Sequence, residues 1–233
     1  MLNQLKKDLQ KLANPEKAKL LSRFFKTGKG QYGEGDIFLG ITVPDQRKVS
    51  KEYPKLQLNE IHELLSSKIH EHRLTSLFVL ISKFEKGNNK LKKEIFDFYL
   101  QNTKNINNWD LVDLSAPKIS GAYMLDNPKE KKILYKLAKS NHLWEKRIAV
   151  LSTFAFIKNN DFDDAIKIAE MLLKDKHDLI YKAVGWMLRE IGKKDQETEE
   201  KFLKKHCKEM PRTMLRYAIE KFQKNKKEFY MKK

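Results

Sequence analysis

The sequence predicts an all-α chain, a right-handed-stacked solenoid of HEAT-like helical pairs, on three observations. Apolar residues recur at three- and four-residue spacing in segments such as RIAVLSTFAFIK and DDAIKIAEMLLK. Prolines stand where first helical turns would begin. The longest apolar helices open at Arg73, Asp110, Arg147, Lys182 and Arg216, so that successive starts lie 34 to 37 residues apart. That period fits two helices and two short turns. In such a stack each pair buries its face only against its neighbours, and the curved array is expected to offer a concave basic groove.

The elements follow in order. Residues 1–26 read as an N-terminal helical pair, with Asn14-Pro15 starting the second helix. Residues 27–40, with five glycines in GKGQYGEGDIFLG, form the one long irregular stretch and read as a flexible linker. No GxxxxGK[ST] follows a strand here, which argues against a nucleotide cradle. Ile37 to Val43 could be locally extended, but one short run does not make a sheet. Residues 41–222 carry the repeats, with Val43-Pro44, Asn127-Pro128 and Met210-Pro211 marking further helix starts. Residues 223–233 read as a frayed, solvated basic tail, and the whole of 1–233 as a single domain.

The formal net charge is +17, from 48 Lys and Arg against 31 Asp and Glu, and residues 201–233 alone hold 12 basic and 3 acidic side chains. Such an excess concentrates a polyanion near the surface. Nucleic acid is the first candidate partner and an anionic membrane surface the second, against the bland reading of a merely basic protein. Cys207 is the single cysteine and has no partner spacing, which suits a reducing compartment. No stretch approaches the roughly 18 apolar residues of a membrane span, and the opening lacks the apolar core of a signal peptide. The expectation is a cytoplasmic, monomeric protein that needs no membrane. His62, His70 and His72 cluster locally, but no cysteine or acidic set completes a zinc site. They read as surface residues, and neither metal nor cofactor is expected.

Aligning the repeats exposes the residues that break the pattern. Three positions after each helix opening stand Ser76, Asp113, Val150, Gly185 and Ile219, so Asp113 is the one carboxylate in a column of small or apolar side chains. A carboxylate there is costly unless compensated, and it reads as a helix cap, a buried partner of Arg147, or a site. Trp109 lies four residues before Asp113, on the same helix face. Trp186 occupies a position held by Leu77, Leu114 and Leu151 in other repeats. Taken alone, each tryptophan is more often core than site. Arg47, Arg189 and Arg212 are candidates for meeting phosphates, with a solvated or structural role at least as common.

WDLVDLSAP at 109–117, LWEKRIAV at 143–150 and KAVGWMLRE at 182–190 resemble the AlkD family of bacterial DNA alkylation repair glycosylases, as do FLGITVPDQR at 38–47 and NPEKA at 14–18. The anchors span most of the chain. The ending MPRTMLRYAIEKF departs from the best-understood glycosylases of that family. The resemblance implies hydrolysis of the N-glycosidic bond of cationic N3- or N7-alkylated purines, such as 3-methyladenine and 7-methylguanine, in double-stranded DNA. It implies Asp113 as the catalytic carboxylate, Trp109 and Trp186 as groove tryptophans, and Arg147 as a phosphate-gripping arginine. A non-catalytic HEAT-like scaffold binding nucleic acid or protein is the alternative.

Overall fold

Helix starts in this chain are written in its capping residues. Asn14 accepts the backbone N–H of Lys17 and Pro15 occupies the first turn, while Thr42 accepts from Asp45 ahead of Pro44. The structure, a computed structural model, describes residues 1–232. The helices are α1 (Leu2–Lys11), α2 (Pro15–Phe24), α3 (Val43–Glu52), α4 (Leu58–Leu65), α5 (His70–Lys86), α6 (Asn89–Gln101), α7 (Trp109–Ser115), α8 (Ala122–Asp126), α9 (Lys132–Ala138), α10 (Leu143–Lys158), α11 (Asp163–Leu172), α12 (Asp178–Gly192), α13 (Gln196–His206), α14 (Arg212–Ala218) and α15 (Lys224–Met231). Among the described residues there is no β-strand, only an isolated parallel bridge between Ile37 and Ile69. The fold is all-helical. The repeat openings fall in α5, α7, α10, α12 and α14, with one or two other helices between each pair.

The sequence reading treats 1–233 as one domain; the backbone groups into two compact units, Met1–Leu111 and Val112–Lys233, dividing within α7. In the first unit, α5 is buried on nearly every side and forms the core, with Leu2, Leu5 and Leu9 of α1 adding an apolar stripe. The glycine-rich segment, expected to be a flexible linker, is pinned to α5. Glu71 Oε1 and Oε2 accept the backbone N–H groups of Leu39, Gly40 and Ile41 at 2.8 to 3.3 Å, which satisfies a carboxylate that is otherwise buried. Gly40 has φ +85°, and a Cβ there would stand 2.1 Å from the Asn14 carbonyl oxygen, so only glycine lets this segment pass α2.

In the second unit, α10 is the buried centre, packed by α9, α11 and α12, while α14 lies along α12. The expected frayed tail is instead helix α15. Its Tyr230 is buried edge-on against Phe222, and Arg212 Nη1 donates to the Met231 carbonyl at 2.9 Å. The two aromatic residues, not the charge, anchor it. Among the described residues no helix is long and apolar enough to cross a membrane.

At Gly185 α12 and α14 approach closely, since a Cβ would meet the Met214 carbonyl oxygen at 2.4 Å and Tyr217 Cβ at 2.6 Å. Alanine would gain about 1 kcal/mol of helix propensity, but backbone would have to move to admit it, and overpacking costs typically about 1–3 kcal/mol or more. Gly185→Ala is therefore expected to lower the free energy of unfolding by about 1–2 kcal/mol net, read from urea denaturation. A stabilised variant would contradict the close crossing.

Candidate active site

The carboxylate that breaks the apolar column is met by an arginine one repeat later. Arg147, in the second turn of α10, donates from Nε to Asp113 Oδ1 at 2.8 Å and from Nη2 to Oδ2 at 2.7 Å, the bidentate fork that guanidinium and carboxylate geometry favours. Its Nη1 donates to the Leu179 carbonyl at 2.5 Å, at the start of α12. Three segments of the second unit therefore converge on one guanidinium. The Asp113 side chain remains 17% exposed and that of Arg147 only 5%, so the cation stands behind an anion that solvent reaches. The phosphate grip expected of Arg147 would require at least part of this fork to open.

Trp186 lies on the same α10–α12 seam. Its ring packs 6.0 Å from that of Phe154, and its Nε1 donates to Glu190 Oε1 at 3.1 Å. Phe154 follows Arg147, and Trp186 follows Leu179, by seven residues each, so the two rungs of the seam are about 10 Å apart along the helix axes. The indole is half-buried and held by its N–H. Arg189 donates to Glu190 and also pairs with Glu220, and Arg212 is tied to Met231, so both arginines have partners within the protein. Arg47 is exposed, with its guanidinium carbon 4.7 Å from the centre of the Phe78 ring.

In the first unit, Trp109 stacks on Phe25 at 5.2 Å, meets Phe24 edge-on at 5.9 Å, and donates from Nε1 to the Tyr32 hydroxyl at 3.3 Å. One face is therefore covered by protein. Beside it sits a charge cluster that the sequence reading missed. His70 Nε2 is 2.7 Å from Asp110, His70 Nδ1 is 3.4 Å from Asp36, and Arg73 pairs with Asp36 at 2.7 Å. His70 and His72 are buried, against the expectation of surface residues; His62 is exposed. The one available signal was that Arg73 and Asp110 both open core helices, where an unpaired charge would be costly.

The pKa directions follow from this geometry. Burial disfavours charged His70, but the charge and hydrogen bond of Asp110 and the hydrogen bond to Asp36 outweigh it and raise His70 above its ordinary 6.5. Burial likewise works to raise Asp36, and the bonds and charges of His70 and Arg73 bring it below 3.8. Burial, with Lys6 and Arg73 nearby, pushes His72 down to about 4. Among the described residues no group of three or more His, Cys, Asp or Glu side chains could hold a metal ion.

A model of the family of DNA alkylation repair enzymes matches residues 5–222. No curated protein matches the chain. Among solved structures, one described as "Predicted DNA alkylation repair enzyme from Enterococcus faecalis" is similar, with a TM-score of 0.72 and 18% sequence identity over 91% of this chain and 97% of that one. At that identity the likeness speaks for the fold.

Two measurements check the electrostatics. Arg147→Met leaves Asp113 without its fork and is expected to cost about 3 kcal/mol of stability. Adding Asp113→Leu should return most of that loss. A double-mutant cycle by chemical denaturation, showing no coupling, would contradict the pair. Because the folded-state pKa of His70 is raised, its charged form stabilises the fold fully below about 6.5, and that contribution is lost as pH rises through the raised value. The stability gap between the parent and His70→Gln should therefore shrink with rising pH across that window; a gap that widens would refute the assignment.

Proposed function

Because the chain belongs to the family of DNA alkylation repair enzymes, we propose that it is a monofunctional DNA glycosylase that hydrolyses the N-glycosidic bond of cationic N3- or N7-alkylated purines. The observation that carries this reading is Asp113, a carboxylate in a helix column otherwise small or apolar, forked by Arg147 and still open to solvent.

The chemistry requires little else. A purine alkylated at N3 or N7 is already cationic and departs without a general acid. The difficult charge is the one that develops on the deoxyribose as the bond lengthens, as in other oxocarbenium-like glycosyl transfers. A fixed carboxylate beside C1′ stabilises that charge without reorganising at the moment of reaction. Asp113 also accepts a proton of the attacking water and aims its oxygen at C1′. Arg147 acts through Asp113 as a positioning residue: it fixes the carboxylate plane and offsets the repulsion between that carboxylate and nearby phosphates. Trp186 is proposed to present its indole to the DNA, and Trp109 to be the other groove tryptophan that the sequence resemblance implies. A cation against an open indole face adds about 0.5–2 kcal/mol. The net charge of +17 supplies sequence-independent affinity for DNA that weakens as salt rises.

The test is incubation of the full chain with methylated duplex DNA, followed by chromatography for free 3-methyladenine and 7-methylguanine. Release is expected from the parent and is expected to fall about 100- to 1,000-fold in Asp113→Asn, with DNA binding retained. Salt-sensitive binding without release in the parent would favour a non-catalytic nucleic-acid scaffold instead.

A further inference from the structure

The first unit holds a cavity of about 240 Å³ beneath α2, bounded by α3 and α5. Three features set it apart from ordinary imperfect packing. First, α2 covers it without burying a single residue, and Leu20 and Phe24 of that helix are 64% and 63% exposed. Second, its wall is aromatic. Phe25 and Phe38 stack at 5.1 Å, and Phe38 stacks on His70 at 4.6 Å. Third, its lining holds a buried acceptor without a donor. Gln46 is 2% exposed and its amide nitrogen donates to the Ile41 carbonyl at 2.9 Å. That bond fixes which end of the amide is which, and leaves the buried Oε1 with no donor. Asp110 and Glu71 add two carboxylates to the lining.

A buried acceptor without a partner is costly enough that native proteins seldom keep one. A ligand that fits must bring an N–H donor to Gln46 Oε1, a flat body for the Phe25–Phe38 wall, and no negative charge beside Asp110 and Glu71. The volume is below the range of roughly 300–1,000 Å³ typical for drug-sized molecules, which suits one or two rings. We propose that this cavity binds a flat, uncharged or weakly basic nitrogen heterocycle through an N–H···Oε1 bond to Gln46, and that its ligand is the free alkylpurine left by base excision. The naming of that ligand rests on the glycosylase reading; the demand for an N–H-bearing heterocycle rests on the cavity alone.

The probe is free 3-methyladenine titrated into the full chain by calorimetry, with naphthalene, which has no N–H, as the comparison ring. Saturable one-to-one binding of 3-methyladenine is expected, at least tenfold tighter than naphthalene. Gln46→Leu should weaken it by about tenfold, the worth of one hydrogen bond that would otherwise leave a buried group unpaired. Val43→Trp, at an exposed rim position, should block entry without touching the core, and covers the case in which Gln46→Leu does not fold. No binding, equal binding of naphthalene, or binding unaffected by Val43→Trp overturns the proposal. A chain that releases base but does not bind 3-methyladenine refutes this site alone. One that binds 3-methyladenine but releases nothing keeps the cavity as a heterocycle site and refutes the glycosylase reading.

Discussion

The second unit is organised around a single guanidinium. Asp113 occupies a column where its repeat counterparts are small or apolar, and an uncompensated carboxylate there would oppose folding. Arg147 removes that opposition with two of its donors and uses a third on the Leu179 carbonyl at the start of α12. Lysine could not do this, because a point charge on a flexible stem cannot hold two carboxylate oxygens and a carbonyl in one plane. The same fork that makes the anion tolerable also defines its orientation. Stability and proposed chemistry therefore meet in one interaction.

In the proposed reaction that interaction answers a difficulty specific to polyanion substrates. A catalytic carboxylate repels the phosphates that must come close to it, and the net charge of +17 acts too diffusely to cancel a local anion. A cation directly behind the carboxylate cancels most of its far field and leaves the near field, at the contact distance of a sugar, largely intact. The exposure asymmetry has the right sense, with the anion outward and the cation inward. A phosphate gripped by Arg147 would compete for the same donors and release Asp113 from its fixed plane.

Much of this was legible in the sequence because it is local or periodic. The Asn14-Pro15 and Thr42-Val43-Pro44 caps, the helix period and the spacing of the core helices need no distant contact to be read. The pairing of Asp113 with Arg147 was legible as one of several alternatives, because both stand in register in successive repeats. What stayed hidden lies between residues with no periodic relation. Asp36 meets Arg73 and His70 from a segment whose glycines suggested only flexibility, and Glu71 was invisible as the anchor of residues 39–41. Buried His70 looked like a surface residue because its partners, Asp36 and Asp110, come from elsewhere in the chain. The tail was misread for a different reason: its lysines outnumber Phe222 and Tyr230, but the two aromatics decide the packing.

The first unit offers a rival pair, and bond chemistry weighs against it. His70 and Asp110 form a histidine–carboxylate couple of the kind that moves protons, and Asp110 is as exposed as Asp113, at 17%. But its Oδ1 already accepts the N–H of Leu111 and its Oδ2 accepts from a histidine that is 3% exposed. A proton relay serves a leaving group that needs protonation. A purine alkylated at N3 or N7 carries its positive charge before the bond breaks, so protonating it is superfluous and would add a like charge to a departing cation. What remains to be stabilised is the sugar, and for that a fixed anion suffices. For the proposed substrate, a cationic lesion thus favours the arginine-held carboxylate over the histidine-held one, and leaves His70, Asp36 and Arg73 to tie the glycine-rich segment to α5.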